Sequence, residues 1–99
     1  MRPKTDVVLN GETKIYPTGY REGEVGIVVT PDGGSTYTVE FTPARAPGFD
    51  FSQVTTWAPV PDMTAATTQQ STRLGPVTAI RVQVTSGTSV TVDIAQRNV

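Results

Sequence analysis

Few side chains in this sequence could perform acid–base or nucleophilic chemistry. Histidine and cysteine are both absent, which removes the commonest general base, the thiolate nucleophile and the two commonest zinc ligands. A serine nucleophile would need a lysine or a carboxylate as its base, and the two lysines, Lys4 and Lys14, are expected in the least regular part of the chain. We therefore predict that the protein is not an enzyme and holds no metal or cofactor.

The carboxylates are the remaining candidates, because glycoside hydrolysis requires a pair of them. Those considered are Glu22, Glu24, Glu40, Asp50 and Asp62. Nothing in their spacing selects a pair, so we interpret them as solvated charges. Residues 31–34, Pro-Asp-Gly-Gly, are predicted to be a β-turn rather than a phosphate or calcium loop, because they join two predicted strands and offer one carboxylate.

Charge and hydropathy argue against two classes of partner. The 99 residues include 8 basic and 9 acidic side chains, for a formal net charge of −1, and these charges do not form the basic face that binds phosphates. No apolar run approaches the roughly 20 residues that span a bilayer, and no signal-peptide pattern occurs. We predict neither nucleic-acid binding nor membrane insertion.

Composition predicts an all-β fold. Thr and Val, which are β-branched and suited to a pleated sheet, recur throughout the chain, and 8 Pro and 9 Gly leave few windows for a helix. We expect a small antiparallel β-sandwich or jelly-roll-like barrel of about six to eight short strands. Residues 1–24 are predicted to form an N-terminal arm and the first strand or strands, and residues 25–99 the body of a single domain.

Two segments with alternating apolar residues are predicted to be β-hairpins. In one, residues 80–84 and 90–94 flank a turn at 86–88, and in the other, residues 25–29 and 37–41 flank the turn at 31–34. A period of two gives each strand one apolar face for the core and one polar face for solvent. Arg81 and Asp93 lie on the polar faces of the first hairpin, where we expect a cross-strand charge pair if the register allows.

The other segments have weaker patterns. Residues 5–10 are predicted as a short strand or an extended arm, residues 14–16 as a strand fragment, and residues 54–57 as a short strand that ends where Pro59 and Pro61 cannot donate to a ladder. Residues 64–74 are rich in Thr, Gln and Ser and are predicted as a loop or an irregular strand.

The aromatic residues near the middle of the chain allow two interpretations. Trp57 is predicted to lie in the core, because a small sandwich has few large side chains with which to fill its centre. The alternative is an exposed platform that stacks on sugar rings. Phe49 and Phe51 lie on a loop flanked by Gly and Pro, where one of them could be exposed at an interface.

The N-terminal segment is a candidate contact with a partner. Val7 and Leu9, beside Arg2 and Lys4, give too little apolar surface for a hairpin but enough to add a strand to the sheet edge of another protein. The alternatives are a frayed terminus or a first strand paired within its own domain.

Residues 57–96 resemble the small β-sandwich virion proteins of tailed bacteriophages. The likeness is carried by Trp57, the sequence Gly-Pro-Val-Thr-Ala-Ile-Arg-Val at 75–82, the Thr-Ser-Gly-Thr turn at 85–88, and a final strand ending in Gln96. It implies a structural protein of the virion, assembled in the bacterial cytoplasm. The implied role is head decoration (a cement protein) on the major capsid protein or another virion protein, with self-association.

Two alternatives to head decoration stay open. One is a tail or neck component of the virion. The other is a carbohydrate-binding β-sandwich module, which should expose several coplanar aromatic rings. Burial of Trp57 together with Tyr16, Tyr20 and Tyr37 would remove that possibility.

Overall fold

The computed structural model describes residues 3–18, 24–43, 56–75 and 77–96. Eight β-strands form within these ranges. They are β1 (Lys4–Leu9), β2 (Thr13–Pro17), β3 (Val25–Asp32), β4 (Thr36–Thr42), β5 (Ala58–Pro59), β6 (Gln70–Leu74), β7 (Ala79–Ser86) and β8 (Ser89–Gln96).

The strands form two four-stranded antiparallel sheets. Sheet A has the order β1-β8-β3-β6 and sheet B the order β2-β7-β4-β5. Strands one, eight, three and six therefore face strands two, seven, four and five, which is the connectivity of an eight-stranded jelly roll. The predicted all-β sandwich is confirmed, and its connectivity is that of the predicted jelly-roll alternative.

Both predicted hairpins are wrong. β3 pairs with β6 and β8, whereas β4 pairs with β5 and β7, so the turn between β3 and β4 crosses from sheet A to sheet B. β7 and β8 are separated in the same way. Alternation shows which face of a strand meets the core, and that face is the same whether the next strand lies beside it or opposite it across the core.

The core lies between the two sheets and is built from the alternate residues of each strand. Val8, Ile27 and Val92 of sheet A are buried against the side chains of sheet B. The side chains that sheet B contributes to the core are fully or almost fully buried, and they include Tyr16, Tyr37, Val39, Ile80, Val82 and Val84. The outer faces of the two sheets are more polar, although Val7 and Leu9 of β1 are exposed there.

An irregular segment follows β5 and lies along β4. The Val60 N–H donates to Val39 O (3.0 Å), the Val39 N–H donates to Met63 O (2.8 Å), and Ala66 exchanges two backbone hydrogen bonds with Tyr37. This segment continues the pairing that the two-residue β5 begins. Of the stretch predicted as a strand at 54–57, residues 54 and 55 lie outside the described residues, while 56 and 57 are not in a strand; the strand is Ala58–Pro59.

Residues 64–74 divide between the two predicted alternatives. Residues 64–69 are irregular and residues 70–74 form β6. Lys4 and Lys14, expected in the least regular part of the chain, lie instead in β1 and β2, since both segments pair with strands near the C-terminus.

The turns at one end of the sandwich are joined by a buried serine. The Ser35 hydroxyl, in the β3–β4 turn, donates to Asp32 O and accepts hydrogen bonds from the backbone N–H groups of Thr88 (2.9 Å) and Ser89 (3.1 Å). Ser35 is fully buried. The Ser35 side chain thus links the two sheet-to-sheet crossings to each other.

Candidate functional site

The outer face of sheet A contains a groove of about 420 Å³. Gly26 of β3 lies opposite Ala95 of β8 and opposite Arg73 of β6 in the sheet register. Because Gly26 and Ala95 have little or no side chain, the sheet surface is depressed there between β1 and β6. The groove is lined by Pro3, Lys4, Thr5, Gly26, Ile27, Val28, Ser71, Thr72, Arg73, Asp93, Ile94 and Ala95.

The ionisable side chains that line the groove are Lys4, Arg73 and Asp93. Its carboxylate, Asp93, accepts a hydrogen bond from the Thr5 hydroxyl at 2.6 Å, and no second carboxylate is among the described residues that line it. Arg73 is exposed at the opposite wall, with no hydrogen bond or ion pair to the described part of the chain. A methyl group added at Gly26 would meet only Ala95 O at 3.8 Å, so the groove has room for a guest group.

Of the predicted contact residues, Lys4 lines this groove, and Val7 and Leu9 lie farther along the same strand. Val7 and Leu9 are 44% and 54% exposed and point outward from β1 on the same face as Thr5. Lys4 lies over the Tyr16 ring, with its Nζ 5.2 Å from the ring centroid. The other predicted contacts, Arg2, Phe49 and Phe51, lie outside the described residues.

The prediction of a free arm at the N-terminus is wrong for residues 4–9. They form β1, which pairs with β8 from Lys4 opposite Ile94 to Leu9 opposite Ser89. The alternative of a first strand paired within its own domain is the one observed. Val8 supplies the reason, because it is fully buried in the core and fixes the strand there.

The free edge of β1 is covered by charged side chains, and we call it the guarded edge. The Val7 N–H donates to Asp6 Oδ1 (2.9 Å) and the Leu9 N–H to Glu12 Oε1 (2.8 Å), while Lys14 Nζ donates to Val7 O (2.8 Å). These side chains occupy backbone groups that an added strand would need. Contact through β1 must therefore use its outward side chains and not its backbone.

Asp6 also belongs to a polar cluster between β1 and β2. It accepts a hydrogen bond from the Tyr16 hydroxyl (2.9 Å) and forms an ion pair with Lys14 (3.4 Å). The Tyr16 bond is the main cause of a lowered pKa of Asp6. Burial first, and then the adjacent Asp6 carboxylate, raise the pKa of Tyr16 well above its ordinary value. The cluster seals this side of the core with Tyr16 neutral and Asp6 ionised.

Trp57 and Arg81 form a second cluster, on the outer face of sheet B. The Arg81 guanidinium carbon lies 4.4 Å from the Trp57 ring centroid, and its Nε and Nη2 donate to Glu40 Oε1 at 3.1 and 2.5 Å. The prediction of Trp57 in the core is wrong, since it is half-buried outside the sheet. The predicted Arg81–Asp93 pair is also wrong, because β7 and β8 lie in different sheets.

Sequence reasoning missed the pairing of Glu40 with Arg81, and it missed the groove. Glu40 lies opposite Arg81 in the β4–β7 register, and nothing in the sequence specifies that pairing of distant strands. The groove did leave a signal, because Gly26 interrupts a strand of β-branched residues, and a strand-interior Gly often marks a close backbone approach or an open surface.

Within the described ranges, the charged groups form no metal site or catalytic pair that we can identify. No group of three or more Asp, Glu, His or Cys residues there is placed to hold a metal ion. Of the candidate carboxylates, Glu40 pairs with Arg81, Glu24 and Asp62 are exposed, and Glu22 and Asp50 lie outside the described residues. In the same ranges, no helix is long and apolar enough to cross a membrane.

The comparisons with known proteins give one structural likeness. No protein-family model matches the sequence, and no curated protein matches it. A solved structure from work on Bacillus endospore appendages, described there as a family of disulfide-linked pili, is similar with a TM-score of 0.45 and 11% identity over 98% of this chain and 90% of that one.

Proposed function

We propose that this chain is a non-enzymatic structural protein of a bacteriophage virion. Its role is to decorate the head, bound to the major capsid protein through the outer face of sheet A. The observation that carries the proposal is the exposure of Val7 and Leu9 on the same sheet face as the groove. Neighbouring exposed apolar side chains on the same face as a concavity are typical of a protein contact surface.

The fold and the guarded edge support the same mode of attachment. Eight-stranded jelly rolls occur in viral capsid domains and in lectins, although a fold alone does not determine a function. The backbone groups at the edge of β1 are occupied by Asp6, Glu12 and Lys14. A partner therefore meets the sheet face, where Val7, Leu9 and the groove are accessible.

The carbohydrate-binding alternative has less support. Tyr16 and Tyr37 are buried. The Arg81 guanidinium lies over the Trp57 ring. Tyr20 lies outside the described residues. Among the described residues that line the groove there is no aromatic ring. Stacking on a sugar ring has no platform at this site.

The first test is the copy number of the protein on particles. Virions would be purified from the phage that encodes the chain, and the protein would be quantified by mass spectrometry against the major capsid protein. Head decoration predicts many copies per particle, with a gold-labelled tag seen over the head by electron microscopy. A protein found free, or on the tail, contradicts head decoration.

The second test is the binding surface. A Val7→Thr/Leu9→Thr variant places β-branched Thr, which suits a strand, at both positions and removes apolar area. A Gly26→Val variant fills the groove at a position where a Cβ has room. Both should keep the melting temperature and lose binding to undecorated particles. Ile15→Thr, on the outer face of sheet B, is the matched control and should bind as wild type. Equal binding by all variants would place attachment elsewhere.

A further inference from the structure

The two sheets have four edges, and three of them carry features that hinder the addition of a strand. The backbone of β1 is covered at the guarded edge by Asp6, Glu12 and Lys14. β5 is two residues long and includes Pro59, and the segment after it pairs with β4. β2 carries Lys14 in its interior and ends at Pro17. Short length, proline and lysine are the usual ways of blocking strand addition.

The fourth edge, β6, has none of these features. Its five residues, Gln-Ser-Thr-Arg-Leu, include no proline. No side chain in the described ranges hydrogen-bonds to the backbone of residues 71–74, whose described pairing is with β3. Ser71 and Arg73 are exposed on the outer face, and Thr72 is half-buried. An edge strand in this state has backbone donors and acceptors available for a partner.

We propose that β6 pairs with β6 of a second copy, antiparallel, around a two-fold axis at Thr72. In that register Thr72 lies opposite Thr72 of the partner subunit, and Ser71 lies opposite Arg73 of the partner subunit. Like charges are never directly opposite, and a Thr–Thr pair is favourable across antiparallel strands. The contact is self-complementary, as a two-fold interface requires. This inference does not depend on the proposed function.

The pairing has a geometric consequence for the groove. Antiparallel strands of one sheet are related by an axis perpendicular to it, so the two outer faces lie on the same side of the joined eight-stranded sheet. Both grooves, each lined by Ser71 and Arg73 beside the new interface, would then face the same way. Two identical surfaces on one side let a dimer bind a repetitive target at two points.

The first test changes the charge at Ser71. Ser71→Glu places a carboxylate opposite Arg73 of the partner subunit and should tighten the dimer dissociation constant, measured by sedimentation equilibrium, by about three- to ten-fold. Ser71→Lys should weaken it by a similar factor. Gln83→Glu and Gln83→Lys, on the exposed face of β7, make the same charge changes away from β6 and should have no effect. Equal effects at both positions, or a wild-type protein that stays monomeric at its highest soluble concentration, would overturn the proposal.

The second test identifies the pairing itself. The chain has no cysteine, so Thr72→Cys introduces a single thiol at the axis, where directly opposed side chains are close enough for a disulfide. Mild oxidation should give a covalent dimer that keeps the wild-type melting transition. Thr85→Cys, exposed on β7, is the control and should remain monomeric. A Thr72→Cys protein that folds and does not cross-link, or that forms longer polymers, contradicts a two-fold β6 contact.

Discussion

Gly87 packs directly on Ser35, so that a side chain at Gly87 would bring its Cβ to 2.4 Å from the Ser35 Cα. Gly87 also has a φ of +93°, a conformation that residues with a Cβ rarely adopt. The two crossings between the sheets therefore meet at a point where no side chain fits.

A Gly87→Ala variant should be destabilised more than the backbone conformation alone explains. Gly34→Ala is the control, because Gly34 has a φ of +80° but open space around it. Gly34→Ala should cost about 1 kcal/mol from strain, and Gly87→Ala at least about 2 kcal/mol more from the displaced Ser35 backbone. Urea denaturation measures both. Equal losses of unfolding free energy in the two variants would mean that the close contact between Gly87 and Ser35 does not contribute to stability.

The decrease in the unfolding free energy at acid pH should depend on Tyr16. The Tyr16 hydroxyl bond is the main reason why the pKa of Asp6 is below its ordinary value of 3.8. A lowered pKa in the folded state stabilises the fold above that ordinary value, and the contribution is lost as the pH falls through the folded pKa. Tyr16→Phe should raise the pKa of Asp6 and flatten the fall in unfolding free energy at acid pH.

The control for this prediction is Tyr37→Phe. The Tyr37 hydroxyl donates to Thr68 O (2.7 Å) and not to a carboxylate, so its loss should lower stability by a similar amount at every acid pH. Urea denaturation from about pH 2.5 to pH 7 compares the two variants. If the unfolding free energy of Tyr16→Phe falls at acid pH as it does in the wild type, the pKa of Asp6 is set by another group.

The Trp57–Arg81 contact can be followed by fluorescence. Trp57 is the single Trp of the chain, so its emission reports directly on the stacked guanidinium. Arg81→Lys keeps the charge but loses the planar stack and the two bonds to Glu40, and should shift the emission and lower stability by about 1 kcal/mol. Gln83→Lys, the neighbouring outward position on β7, should change neither. Unchanged emission in Arg81→Lys would contradict the stack.

The guarded edge should resist aggregation because of its side chains. Glu12→Ala leaves the Leu9 N–H without the acceptor that it has at 2.8 Å, whereas Glu12→Gln removes the same charge but keeps an oxygen acceptor. We expect Glu12→Ala to aggregate faster than both Glu12→Gln and the wild type in a light-scattering assay at 37 °C. Equal rates for the two variants would assign the protection to charge alone.

The layers of this fold could be predicted from the sequence, whereas the partners of each strand could not. Alternation at residues 80–84 and 90–94 correctly places Ile80, Val82 and Val92 in the core. It does not distinguish a hairpin from a crossing, since both leave the same face inward. The same ambiguity produced the wrong partner for Arg81. Its true partner, Glu40, is 41 positions away on a strand whose register only the assembled sheet determines.

For the candidate surface, the sequence indicated individual residues but not how distant strands bring them together. Val7 and Leu9 were predicted as contacts with a partner, and in the structure both are exposed on β1. Their strand was predicted as a possible free arm because its partner, β8, is at the other end of the sequence. Arg73 and Ala95 could not be associated with Gly26, because the groove exists only where three non-consecutive strands lie side by side.

The crossing of successive strands between the sheets also affects how the chain folds during synthesis. β4 and β5 are the one pair of consecutive strands, among those described, that hydrogen-bond to each other. Sheet A is completed only when β8, the last strand, inserts between β1 and β3. Local hairpins therefore cannot start the process, and folding of this type is slow. β8 must therefore have left the ribosome before sheet A closes, and until then β1 and β3 expose the edges that β8 will cover.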